Sequence, residues 1–240
     1  MPLSHARGVG RALADRLFVR GTVEDVDQIT RRMRRITVSA SGLTWTPGQQ
    51  IRVAADGLLT RRTYSIWDYD GASLELRVLE HGEGPGTRWA RTVRPGDDVV
   101  FGGPEGTFVT RPSPYHLFVG EETASVAFGP MVRALGDAPV YGVIEVDTHQ
   151  DRIEVGALEN RLPLDRLTWR YREGAPAASS ATLVAAVREL DLPGEPGTAY
   201  VAGEARTVQA VRDHLVRDRG WPRRAVLTKP FWTPGKKGLE

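Results

Sequence analysis

The residues Arg61, Arg62, Thr63, Tyr64 and Ser65 fall inside "LLTRRTYSIWDYD", residues 58 to 70. Guanidinium, phenol and hydroxyl groups crowd together there in what reads as a β-strand. Side chains two apart on a strand share a face, so Arg62 and Tyr64 point one way and Ser65 the other. An aromatic plane beside a guanidinium suits a ligand that is flat at one end and anionic at the other. The same pattern also suits a half-exposed strand with a wet polar face. A second candidate is "EHGEGPGTRWA", where a glycine-rich turn leads into a helix start. Its backbone amides, the Thr87 hydroxyl and Arg88 would make a phosphate site, although a turn also needs glycine for its own sake.

Further candidates lie where strands end in the second half of the chain. In open parallel sheets, ligands bind outside the carboxyl ends of the strands. Reading those ends gives Gly120-Glu121-Glu122-Thr123, Asp147-Thr148, Gly203-Glu204-Ala205-Arg206, and Lys229 followed by a Pro230-Phe231-Trp232 turn. Asp147 could accept from an adenosine ribose and repel a 2′-phosphate, whereas Arg152 could bind that phosphate; NADH and NADPH both stay open. No GxGxxG follows a strand, and the "GVG" at residues 8 to 10 follows none. That argues against standard Rossmann dehydrogenase chemistry.

The elements that must position these groups change rhythm along the chain. Up to about residue 110, "FVRGTVEDVDQI", "RRITVSA", "QQIRVAA", "RRTYSIW" and "SLELRVLE" read as short strands separated by glycine and proline turns. That pattern predicts an antiparallel barrel or sandwich. After "TRPSPYH", strands alternate with helices: "HLFVG", "ASVAFGPMVRAL", "PVYGVIEV", "LTWRY", "SATLVAAVREL", "TAYVA", "ARTVQAVRDHLVRDRG" and "AVLTK". This predicts a parallel sheet covered by helices. The boundary is expected at 112/113, giving domains 1–112 and 113–240.

Composition narrows the chemistry. The chain of 240 residues has no cysteine, which removes disulfides, thiolate metal sites and cysteine nucleophiles. His5, His81, His116, His149 and His214 have no metal-ligand spacing. Redox chemistry would therefore need an organic cofactor. The net charge is +2, with arginines dispersed among acids, so nucleic-acid binding is not expected. The only lysines are Lys229, Lys236 and Lys237, beside Phe231 and Trp232. No run reaches the roughly 18 apolar residues of a membrane span. The N-terminal "MPLSHARGVGRALADRLF" lacks a signal peptide's apolar core and reads as a short amphipathic helix; a cytoplasmic location is expected.

Three motifs, "RTYS" at 62 to 65, "HGEGPGTRWARTVRPGDDVVFGGPEG" at 81 to 106, and the pair "VGEETA" and "AGEARTVQAVRDHL", resemble the siderophore-interacting protein family within the ferredoxin-reductase-like flavoproteins. The resemblance implies a flavin-binding antiparallel β-barrel followed by a parallel-sheet nicotinamide-nucleotide domain, with FAD between them. It implies Arg62 on the FAD pyrophosphate, Tyr64 against the isoalloxazine and Ser65 near its N5 edge, with Thr63, Val78 and His81 completing the ring site. Gly86, Thr87 and Trp89 would wrap the phosphates and adenosine side. Glu122, Thr123, Gly203, Glu204 and Ala205 would border the nicotinamide. The implied chemistry is hydride transfer from NADH or NADPH to the flavin, then electron transfer to a ferric siderophore. The ending "KPFWTPGKKGLE" resembles a family branch in which a C-terminal lysine, here Lys229, joins the substrate pocket. A flavin reductase feeding a partner monooxygenase needs the same sites and is the alternative expectation.

Overall fold

The computed structural model describes residues 18–57, 60–153 and 167–236. The N-terminal helix expected from sequence and Lys237 lie outside these residues. Six strands close an antiparallel barrel in the order β1-β2-β5-β4-β3-β6. They are β1 (Val19–Thr30), β2 (Met33–Ser39), β3 (Gln50–Ala54), β4 (Arg61–Tyr69), β5 (Ser73–Leu79) and β6 (Asp98–Phe101). Period-2 alternation sends Ile36, Val38, Ile51, Val53, Leu74, Leu76 and Phe101 into the barrel core. β6 was not among the strands anticipated, because four residues are too few to show a period. Helix α1 (Pro85–Thr92) follows β5, with Pro85 at its start, where no N–H is needed.

The second part is a five-stranded parallel sheet in the order β11-β10-β7-β8-β9. Its strands are β7 (His116–Glu121), β8 (Val140–Val146), β9 (Thr168–Tyr171), β10 (Thr198–Glu204) and β11 (Val226–Trp232). Every residue of β7 and β10 is buried, as in a sheet covered on both faces. Leu117, Val119, Val143 and Val201 face helices α3 (Ala181–Arg188) and α4 (Ala205–Asp213). Phe118, Ile144 and Tyr200 face the other way, into a cluster shared with helix α2 (Glu122–Ala134) and the barrel residue Trp67. The expected barrel followed by a parallel sheet is the fold observed. Among the described residues, no helix is long and apolar enough to cross a membrane.

Two local expectations need correction. β11 does not stop at Lys229: it continues through Pro230 to Trp232. Proline is tolerated because β11 is an edge strand, paired only with β10. Helix α2 also starts at Glu122 rather than Ala124, because the Glu121 carboxylate accepts from the Thr123 amide and caps it.

The barrel is fixed to the sheet through Trp67. The Arg77 guanidinium lies 3.6 Å from the centre of its ring, and Arg133 of α2 donates to its carbonyl at 2.9 Å. A Cβ on Gly129 of α2 would sit 2.3 Å from the indole, so the ring packs where only glycine leaves room. Gly129→Ala should therefore destabilise the protein by about 1–3 kcal/mol through overpacking. This opposes the roughly 1 kcal/mol that alanine gains from helix propensity. Urea denaturation reads the sign directly, and a stabilised variant would show that Trp67 is not packed this way.

Candidate functional site

Three clefts meet where the barrel faces the carboxyl edge of the sheet. The first, about 490 Å³, is lined by Thr63 and Ser65 of β4, Val78 and Leu79 of β5, Thr123 of α2, and Lys229 and Trp232 of β11. The second, about 280 Å³, lies over the sheet edge between Glu122, Asp147, Arg172 and the segment 174–177. The third, about 770 Å³, runs along Arg62, Tyr64 and the turn 82–88 toward Lys236. His81 and Trp232 line all three.

Strand β4 distributes its polar groups as its alternation requires. Arg62 and Tyr64 share the face toward α1: a Cβ on Gly86 would meet the Tyr64 hydroxyl at 2.7 Å and Arg62 Cγ at 3.3 Å. The Tyr64 ring also packs on Trp89, with centroids 5.3 Å apart. Its hydroxyl is buried without a hydrogen-bond partner among the described residues, and burial pushes its pKa well up. The Thr87 hydroxyl donates to the His81 carbonyl at 2.7 Å, tying the glycine turn to α1. Burial pushes the His81 imidazole down, although Glu122 opposes that. Lys229 Nζ is buried without a hydrogen-bond partner among the described residues, 5.6 Å from the Phe108 ring centre and 5.4 Å from that of Phe231. Desolvation lowers its pKa to about 8, against the pull of Glu105.

The second cleft rests on buried charge. Glu122 accepts from Arg172 of the sheet domain at 2.8 Å, from Arg32 of the β1–β2 turn, and from the Asp147 amide at 2.9 Å. Arg172 also approaches Glu145 at 3.5 Å, and Glu145 accepts from the Ser180 hydroxyl. Burial pushes Glu145 up. Burial also works against the Arg172 charge, but Glu122 outweighs it and holds the guanidinium protonated. Arg31 spans Asp147 and Asp151 at 3.3 Å each, so the Asp147 carboxylate already faces a cation.

The structure gathers Arg62, Thr63, Tyr64, Val78, His81, Gly86, Thr87, Thr123 and Lys229 around the first and third clefts, with Ser65 in the first and Glu122 and Thr123 in the second. Gly203, Glu204 and Ala205 line none of the three. The Glu204 carboxylate instead accepts from the amides of Ser179, Arg206 and Thr207. Gly203 makes room: a Cβ there would lie 2.7 Å from Glu121 Oε1. Sequence reasoning missed Arg32, Arg77, Arg172 and the contact between Trp232 Nε1 and Glu121 Oε1 at 3.0 Å. Arg32 and Arg172 carry no local signal, because they are single arginines in an arginine-rich chain.

The comparisons with known proteins bear on the family and the fold. The model of the siderophore-interacting protein family matches residues 113–235, and that of the siderophore-interacting FAD-binding domain matches residues 45–108. The ferric vibriobactin reductase of Vibrio cholerae is 29% identical over 182 residues, which cover 73% of this chain and 65% of that protein. The structure of a siderophore utilization protein from T. fusca superposes with a TM-score of 0.78 at 24% identity, covering 93% of this chain and 95% of that one. The ferredoxin reductase in carbazole 1,9a-dioxygenase superposes with a TM-score of 0.74 at 20% identity, covering 89% of this chain and 68% of that one. At these identities the two structures establish likeness of fold.

Arg172→Met should strip Glu122 and Glu145 of a shared cation and cost about 3–5 kcal/mol at neutral pH. Glu145, which burial already pushes up, would lose the cation that opposes that and titrate still higher when folded than when unfolded. The folded variant would bind more protons, so its stability should fall as pH rises and recover on acidification. Urea midpoints measured across pH check this; a loss independent of pH would mean that Arg172 acts by packing alone.

Proposed function

The chain belongs to the siderophore-interacting protein family, and we propose that it is an FAD-dependent reductase using NADH or NADPH to reduce ferric siderophores. The carrying observation is the seam between the clefts. His81, Thr123 and Trp232 line both the barrel-side cleft and the sheet-edge cleft. A flat ring held by the barrel and a nucleotide held by the sheet would therefore meet in one place, as hydride transfer requires.

The residues present fit FAD. Tyr64 brings a buried, unpartnered hydroxyl and an aromatic face, Gly86 leaves room beside it, and Arg62 stands on the same side of β4. Arg62 would take the pyrophosphate, Tyr64 and Val78 would border the ring, and Ser65 would present its hydroxyl to the reactive edge. FAD would supply hydride acceptance and one-electron donation. The protein's own part is to hold these groups in place, exclude water and set charge around them.

Lys229 gives the acceptor side its character. An ammonium among aromatic rings at the first cleft favours an anionic complex over a neutral one. The substrate is accordingly read as ferric iron in a negatively charged chelate, reached beside Arg52, Arg61 and Arg77.

The purified protein should be yellow, and Gly86→Ala should weaken FAD binding by about tenfold or more by displacing Tyr64; colourless, folded protein that ignores added FAD would end the reading. Reduction of an anionic ferric siderophore should slow by about tenfold as pH rises through about 8, where Lys229 loses its charge. Lys229→Met should be slow and lack that step, while with a neutral acceptor the substitution should change neither the rate nor its pH dependence. Equal effects on both acceptors would make Lys229 structural. Efficient transfer only to free flavin or to a monooxygenase would favour the partner-reductase reading.

A further inference from the structure

Strands β7 and β10 both end in Gly-Glu, and both glutamates cap the following helix. The resemblance ends there. Glu204 accepts from three backbone amides and from the Thr207 hydroxyl. Although burial opposes its charge, those bonds hold it below the usual carboxylate range. Among the described residues Glu121 accepts from one backbone amide, that of Thr123 at 3.0 Å. Its other partners are the Thr123 hydroxyl and the Trp232 indole N–H. Burial pushes its pKa up, and Glu122 beside it adds to that. Both caps take a threonine hydroxyl, but a residue serving only as a helix cap needs no indole from the cleft wall.

The hydroxyl of Thr123 has a single hydrogen. When Glu121 is ionised, that hydrogen points to the carboxylate. When Glu121 is neutral, its own O–H can donate to Thr123 Oγ1, and the threonine hydrogen is free to turn into the cleft. Thr123 lines both the first and second clefts, and Glu121 lines the second. We propose that Glu121 and Thr123 form a proton relay, in which the buried carboxyl stores a proton that the threonine hydroxyl passes to or from the redox cleft.

The relay rests on the reductase reading, whose balance calls for it. A hydride brings two electrons and one proton, and two ferric ions take the electrons one at a time. One proton per turnover is left and must leave the redox cleft. It would move to Thr123 Oγ1 as the threonine hydrogen passes to Glu121, which releases it to water through the second cleft. The charges acting on Glu121 are those of Glu122 on α2 and of Arg172 just beyond β9; Arg32 from the β1–β2 turn reaches Glu122, and the His81 ring lies 6.0 Å from that of Trp232. The two arginines are engaged with Glu122, which leaves Glu121 with neutral donors alone.

Glu121→Gln keeps an acceptor for Trp232 but cannot titrate, Thr123→Val removes the hydroxyl, and Thr123→Ser restores it. Infrared spectroscopy of the protein without any acceptor should show a carboxylic C=O band that titrates above the usual carboxylate range and is absent in Glu121→Gln. Reoxidation of the reduced holoprotein by a neutral ferric chelate, which takes electrons without protons and bypasses Lys229, should show a matching pH step. That step should vanish in Glu121→Gln and Thr123→Val, slow the reaction by tenfold or more in the latter, and return in Thr123→Ser. If the step survives in Glu121→Gln and disappears in His81→Asn, the proton belongs to His81 and the relay is overturned. Loss of stability without change in the pH profile would reduce Glu121 to a cap. A protein that binds no flavin would leave the infrared titration readable, so failure of the reductase reading is separable from failure of the relay.

Discussion

One buried carboxylate holds the two halves of this molecule in register. Glu122 takes a guanidinium from each side: Arg172 from the sheet domain and Arg32 from the barrel's first hairpin. A buried carboxylate missing one of these partners is strongly disfavoured, so the arrangement with both in place is selected even if its net contribution to stability is small. Glu122 opens α2, and Gly129, about two turns later, receives Trp67 of the barrel. Two fixed points along one helix set both the spacing and the rotation of the barrel against the sheet. The clefts are the space left over once those contacts are made.

Much of this was legible in the sequence, for reasons that can be named. The barrel strands announced themselves by alternation and by glycine turns. The second half announced itself by apolar stripes such as Val208, Val211, Leu215 and Val216 along α4 and the turn that follows it, of which the first three are buried and Val216 is partly buried against them. The β4 motif was readable because its chemistry is local: Arg62, Tyr64 and their common face follow from period 2 alone. The sheet-edge residues were harder. Gly203, Glu204 and Ala205 sit where a ligand-binding edge should be, yet the Glu204 carboxylate is taken up by the helix it caps. Composition cannot distinguish a glutamate that faces a ligand from one that satisfies a helix terminus. Contacts such as Arg32 with Glu122, 90 positions apart, or Trp232 with Glu121, 111 apart, have no sequence signature, since each is decided by the packing of other residues.

The misreading of β11 shows how such a contact is built. On a regular strand, Lys229 and Phe231 share one face and Trp232 takes the other. The pairing of β10 with β11 shifts by one residue at this point, with Gly203 opposite Pro230 and Glu204 opposite Trp232. The extra residue in β11 restores Trp232 to the side of Lys229, as a bulge does. Hence both line the first cleft although they are three positions apart. Pro230 sits at the start of the shift, where the missing N–H costs nothing on an edge strand. A sequence reader meets Lys-Pro-Phe-Trp and sees a turn, because proline usually ends a strand. The edge position allows the strand to continue instead, and its irregularity brings an indole, beside the Lys229 cation, to the junction of all three clefts.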